Sequence, residues 1–122
     1  MGKKILVTDD DAMNLRMAEM FLTKGGYEVV KASGGKECLD YLNTDTPDLI
    51  LLDVEMPGMD GYETLAAIRK NPEHAKIPVL FLSASEDVAE RAAELGLAAA
   101  GVVSKPFLPP VLLAQVAEVF GE

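Results

Sequence analysis

Short apolar runs alternate with longer helical patterns along the chain, and that alternation predicts an α/β architecture. Ile5, Leu6 and Val7 form the first run, Val29 and Val30 the second, Leu49 to Leu52 the third, Val79 to Leu82 the fourth, and Val102 with Val103 the fifth. The third and fourth are apolar at consecutive positions, as central strands of a parallel sheet buried on both faces require. The second, within YEVVKAS, is flanked by charge and suits an edge strand. Between the runs lie five predicted helices, over Ala12 to Lys24, Gly35 to Asn43, Tyr62 to Lys70, Glu86 to Leu95 and Pro110 to Phe120. Gly25-Gly26 ends the first, Pro57, Gly58 and Gly61 make the loop after the third strand, and Gly96 stops the fourth helix.

Parallel strands joined by crossover helices bind ligands at their carboxyl ends, so the residues there carry the function. Asp9, Asp10 and Asp11 follow the first strand, Asp53 ends the third, Ser83 ends the fourth, and Lys105-Pro106 follow the fifth. Asp11 reads as a helix cap, and Ser83 or Ser85 taken alone would read the same way. Asp53 differs, because it closes a buried strand and is followed by a Pro/Gly loop rather than a helix.

Composition narrows the picture. The 122 residues make one domain, 1–122, with 49% hydrophobic residues and too little length for a second core. A formal charge of -9 argues against direct nucleic-acid or membrane-surface binding, and the Lys3-Lys4 pair is too small a basic patch to reverse this. The lone Cys38 reads as a small buried hydrophobe in a reducing compartment, and the N-terminus has neither a signal peptide pattern nor a membrane span, which predicts a cytoplasmic location. His74 reads as a surface-loop histidine, and Met13, Met17 and Met20 with Phe21 recur at helical spacing and read as core.

Charge also sharpens the site. Two carboxylates about 4 Å apart repel by on the order of 4 kcal/mol at an effective dielectric of ~20, so a cluster of Asp9, Asp10 and Asp53 needs compensation. The ammonium of Lys105 and a hard divalent cation can supply it. Magnesium suits the purpose, since it accepts a few carboxylates and keeps waters that a phosphoryl oxygen can replace.

Taken together, KKILVTDDD, PDLILLDVEMPGMDG, IPVLFLSAS and SKPF resemble the receiver domains of two-component response regulators over essentially the whole chain. The resemblance implies a doubly wound, five-stranded parallel sheet in the flavodoxin-like order 2-1-3-4-5 with five helices, the arrangement for which a receiver protein is a standing example. It implies that Asp53 accepts a phosphoryl group, that Asp10 ligates magnesium directly and Asp9 through a water, and that the backbone carbonyl of Glu55 completes the metal shell. Ser83 and Lys105 resemble the hydroxyl and the lysine that hold the phosphoryl oxygens, while the side chains of Glu55 and Ser85 sit where dephosphorylation is tuned. The implied donor is a histidine kinase or phosphotransfer protein, which meets the first helix near Asn14 and Arg16; the implied output is a downstream protein target or an effector domain. No effector is expected within these 122 residues.

Two departures bear on signalling. Val102 stands where the family usually has Tyr or Phe, and Ala98 where it usually has Gly. In the last helix Gln115, Glu118 and Glu122 make one narrow polar stripe, which leaves more apolar positions than one face can bury. With Val102 and with Val88, Ala89, Ala92 and Ala93, these predict an apolar surface at helix 4, strand 5 and helix 5 that serves a homodimer or a partner. Three other classes compete. A flavodoxin-like cofactor protein is disfavoured by three aspartates in its phosphate loop, and an aspartate-nucleophile phosphatase by Glu55-Met56-Pro57 after the strand-end acid. A receiver-fold module that works by binding alone, independent of phosphorylation, is kept alive by Val102.

Overall fold

The computed structural model describes residues 2–121, and among them the chain forms five strands and five helices in strict alternation. The strands are β1 (Lys4–Thr8), β2 (Glu28–Ala32), β3 (Leu49–Asp53), β4 (Val79–Ser83) and β5 (Gly101–Ser104). The helices are α1 (Ala12–Lys24), α2 (Gly35–Leu42), α3 (Gly61–Lys70), α4 (Val88–Glu94) and α5 (Pro109–Phe120). All four strand pairings are parallel and the order is β2-β1-β3-β4-β5. The expected doubly wound sheet is therefore present, with β2 at an edge.

Strand side chains alternate between two cores, as a pleated sheet dictates. Ile5, Val7, Leu49, Leu51, Leu80, Leu82 and Val103 meet Leu15, Ala18 and Leu22 of α1 and Leu112 and Val116 of α5. Leu6, Ile50, Leu52, Val79 and Phe81 face the other way, onto Cys38 and Leu42 of α2, Leu65 and Ile68 of α3, and Val88 and Ala92 of α4. Cys38 is buried in this second layer, where burial pushes its thiol pKa up, so it packs as a hydrophobe.

Helix ends follow local chemistry. Asp11 caps α1, accepting from the Met13 N–H, and Asp60 with Glu63 forms a capping box at α3. Gly96, at φ +71°, turns the chain out of α4 in a conformation that a side chain would strain. The fourth helix begins at Val88 rather than Glu86: Ser85 donates its hydroxyl to Asp87 Oδ1 at 2.5 Å, and Asp87, at φ -98° and ψ 9°, is the residue from which the helix starts.

Three readings of single residues are corrected. His74 is buried rather than on the surface, with 6% exposure. It lies in the connection that Arg69 gathers: Nη1 donates to the Ile77 carbonyl at 2.8 Å and the His74 carbonyl at 3.5 Å, and Nη2 to the Ala98 carbonyl at 3.1 Å. Met13 and Met20 are exposed, at 59% and 52%, because the face of α1 that meets the sheet is Leu15, Ala18 and Leu22. On the helix 4, strand 5, helix 5 face, Val88 and Ala92 are core residues, whereas Ala89, Ala93 and Val111 are exposed and Val102 is half-buried. Of the polar stripe on α5, Gln115 donates to the Val102 carbonyl at 2.9 Å and Glu118 faces solvent, while Glu122 lies outside the described residues.

The Arg69 fork predicts that Arg69→Leu, which keeps an apolar side chain and removes the donors, lowers unfolding stability by about 2 kcal/mol in urea titrations. Arg69→Lys recovers less than half of that, since one ammonium cannot reach two separate connections. A loss below about 0.5 kcal/mol would show that water replaces the fork.

Candidate functional site

The carboxyl edge of the sheet collects the polar residues that the core excludes. Parallel pairing sets Thr8 of β1 beside Leu52 of β3, so the next residues along, Asp9 and Asp53, emerge together at the strand ends. Both are buried, with 0% and 2% exposure. Asp10 and Glu55 are exposed, and ligand oxygens of Asp9, Asp10 and Asp53 lie within 4.8 Å of one another.

Lys105 joins the two buried acids. Its Nζ lies 3.0 Å from Asp9 Oδ2 and 3.0 Å from Asp53 Oδ1. The lysine arrives from the far edge of the sheet: its backbone N–H donates to the Ser83 carbonyl at 3.0 Å, the Lys105–Pro106 peptide is cis, and buried Phe107 anchors the following turn in the α1/α5 core. Burial alone would lower the Lys105 pKa, but the bonds to Asp9 and Asp53 outweigh it and the pKa is raised.

Asp53 responds in the opposite sense to an ordinary paired carboxylate. Burial, reinforced by the charge of Asp9, outweighs Lys105 and the Glu55 N–H, and pushes its pKa up to about 7. One ammonium does not neutralise two buried acids and a third beside them. The donor set is all oxygen, compact and over-charged, which is the chemistry of a hard divalent cation.

The three consecutive aspartates have distinct surroundings. Asp9 has both oxygens engaged: Oδ1 accepts from the Asp11 N–H at 2.9 Å, and Oδ2 accepts from Lys105 and from Asn14 Nδ2 at 3.3 Å. Asp10 has no hydrogen bond to its side chain among the described residues. Asp11 is spent on the α1 cap. At the other side of Asp53, Ser83 Oγ accepts from the Ser85 N–H at 3.0 Å and lies 3.5 Å from Glu55 Oε1.

Two residues of this site were not singled out by the sequence as part of it. Asn14 stood only on a partner-facing helix, and its amide instead reaches Asp9. Gly61 stood only as loop punctuation, yet it opens α3 against the backbone of β3. A Cβ there would come 2.5 Å from the Asp53 carbonyl oxygen and 2.7 Å from Val54 Cα, so only glycine lets the loop close over the end of β3. The Asp-Gly pair before a helix was the available signal for Gly61. Nothing in the local sequence marks Asn14.

A parallel 2-1-3-4-5 sheet with an acidic cluster and a lysine at its switch point is a flavodoxin-like domain whose charged residues gather where such folds bind ligands. Residues 5–117 match the response regulator receiver domain family, and the chain belongs to that family. It is similar to the probable transcriptional regulator ycf27 of Cyanophora paradoxa, 43% identical over 114 residues, a match that takes in 93% of this chain and 46% of that protein. It is also similar to the alkaline phosphatase synthesis transcriptional regulatory protein PhoP of Bacillus subtilis, 37% identical over 116 residues, or 95% of this chain and 48% of that one. The chain thus spans about half the length of these curated relatives. Among solved structures, the chemotaxis protein CheY4 of Vibrio cholerae superposes with a TM-score of 0.91 at 31% identity, covering 98% of this chain and 99% of that one. Receiver domains are signalling domains, and response regulators pair with histidine kinases and downstream effectors. No helix among the described residues is long and apolar enough to cross a membrane.

The raised Asp53 pKa makes its ionisation a cost to the fold. The native state holds this proton up to about pH 7 whereas the unfolded chain releases it near 3.8, so the group's contribution falls as pH rises through that window. Asp53→Asn is therefore more stable than wild type by about 2 kcal/mol at pH 8 without metal, and the difference shrinks towards pH 4. Millimolar magnesium is expected to narrow it by stabilising wild type more than the variant, which has one clustered carboxylate fewer. Thermal melts of both proteins across pH, with and without magnesium, check this; a gap independent of pH and metal contradicts it.

Proposed function

We propose that this domain accepts a phosphoryl group on Asp53 from a phosphohistidine of a histidine kinase or phosphotransfer protein, changes its partner contacts, and is then hydrolysed back. The observation that carries this reading is the Lys105 ammonium held 3.0 Å from both Asp9 and Asp53 at the mouth of the sheet. An ammonium shared by two buried carboxylates can leave one of them for a phosphoryl oxygen while the other still holds it.

Asp10, Asp53 and the backbone carbonyl of Glu55 are the proposed direct ligands of magnesium, and Asp9 acts through a water. The hydrogen bonds of the aspartates support that division: Asp9 has both oxygens engaged by protein donors, whereas Asp10 is exposed and free to turn. When bound, magnesium offsets charge on the phosphoryl oxygens and helps hold phosphorus in line with the attacking carboxylate. Asp53 forms the new O–P bond as the N–P bond to the donor imidazole breaks, and the imidazole leaves with the electron pair. Lys105 exchanges Asp53 for a phosphoryl oxygen, and the Ser83 hydroxyl, released from Glu55, donates to another. Water later attacks phosphorus, the Asp53 O–P bond breaks with its electron pair returning to the carboxylate, and inorganic phosphate leaves, with Glu55 and Ser85 flanking the water's approach. The domain thus catalyses only its own phosphorylation and dephosphorylation.

Intact-mass spectrometry tests the chemistry. Wild type gains one phosphate from acetyl phosphate in magnesium, Asp53→Asn gains none, and Lys105→Ala gains it at least 10-fold more slowly. A wild type that stays unmodified while magnesium still raises its melting temperature would favour the module that signals by binding alone, for which Val102 speaks.

The output surface is proposed on α4, β5 and α5, where exposed Ala89, Ala93 and Val111 flank half-buried Val102, and its occupant is a second copy of the chain. Sedimentation with beryllofluoride and magnesium is expected to show a dimer that the unmodified protein lacks. A monomer in both states overturns the dimer and assigns the face to a different protein.

A further inference from the structure

We propose that Asn14 is a positioning residue for the magnesium centre, acting through Asp9; this rests on the proposed role of Asp9 and magnesium in phosphoryl transfer. Asn14 is the third residue of α1, where a glutamate or glutamine usually reaches back to its cap residue. A carboxylate there would add a further charge beside Asp9, Asp10 and Asp11. The amide instead supplies a neutral donor, and Nδ2 lies 3.3 Å from Asp9 Oδ2.

That oxygen is also the one that Lys105 holds, at 3.0 Å. The two donors differ in what the reaction asks of them. Lys105 must turn towards an incoming phosphoryl oxygen, and its hold on Asp9 weakens as it does. Asn14 sits on the first turn of a helix packed on the sheet by Leu15 and Ala18, so it stays in place. It keeps one donor on Asp9 Oδ2, an atom of a residue with 0% exposure, while the Asp11 N–H keeps Oδ1 at 2.9 Å. With both oxygens pinned, Asp9 would keep the orientation from which it reaches the metal through a water. Outer partners of this kind typically change metal affinity by about 10-fold to 100-fold when removed.

Calorimetric titration of magnesium into wild type, Asn14→Ala and Asn14→Leu reads the effect directly, with the metal-free melting temperature as the control for folding. The expected result is a magnesium Kd about 10-fold higher in both variants, with metal-free melting within about 3 °C of wild type. Phosphorylation by acetyl phosphate at subsaturating magnesium slows in step and recovers at high magnesium. An unchanged magnesium Kd in both variants overturns the proposal. So does a loss of metal-free melting temperature that accounts for the change in affinity, because that would make Asn14 a purely structural residue. If wild type itself neither binds magnesium nor takes phosphate, the failure belongs to the underlying functional reading; if wild type does both and the variants match it, only the role of Asn14 falls.

Discussion

One ammonium between two buried carboxylates is the constraint on which the rest of this site depends. Asp9 and Asp53 leave adjacent strands side by side, beyond the reach of bulk water, and their repulsion at that range is worth several kcal/mol. Lys105 offsets part of it from the far edge of the sheet. Burial first, and the remaining repulsion from Asp9 second, keep the pKa of Asp53 raised, which leaves the cluster with an unmet demand for positive charge. In the proposed function that demand is met by a divalent cation, which would in turn admit a phosphoryl group that the bare acids would repel.

Holding three acids in this state takes backbone precision more than side-chain packing. Gly61 lets α3 begin in contact with the peptide after Asp53, and its N–H donates to the Val54 carbonyl at 2.9 Å. The Val54 N–H donates to the Leu82 carbonyl at 3.1 Å, which ties the end of β3 to β4 beside Ser83. Phe107 anchors the turn that presents Lys105. Each contact restrains one strand end, so a small displacement of any loop is passed to the site as a change in carboxylate or lysine position.

Much of the fold was legible because strands and helices here leave periodic traces. The buried runs Leu49 to Leu52 and Val79 to Leu82, the cap at Asp11 and the stop at Gly96 all reflect local chemistry, and each lies where the pattern set it. Misreadings fell where burial is decided by distant neighbours. Met13 and Met20 share a helical spacing with core residues but sit outside the Leu15, Ala18, Leu22 face, and His74 is covered by a connection that Arg69 draws together across 29 residues of sequence. Val88 and Ala92 looked like surface and are core, since the short α4 turns that side to the sheet.

The sequence by itself determined the alternation of elements, the family, and the set of residues at the strand mouths: Asp9, Asp10, Asp53, Ser83 and Lys105. Their place at strand ends follows from where apolar runs stop, which is a local property. Only the tertiary structure decided what each does there. Three consecutive aspartates are chemically alike, and what separates them is Lys105 from the opposite end of the chain, the Asn14 amide one helical turn on, and the Asp11 N–H. Asp9 became the pinned acid, Asp10 the open one and Asp11 the cap because hydrogen-bond partners and burial are properties of the folded surroundings, and those surroundings are assembled from segments that the local pattern cannot bring together.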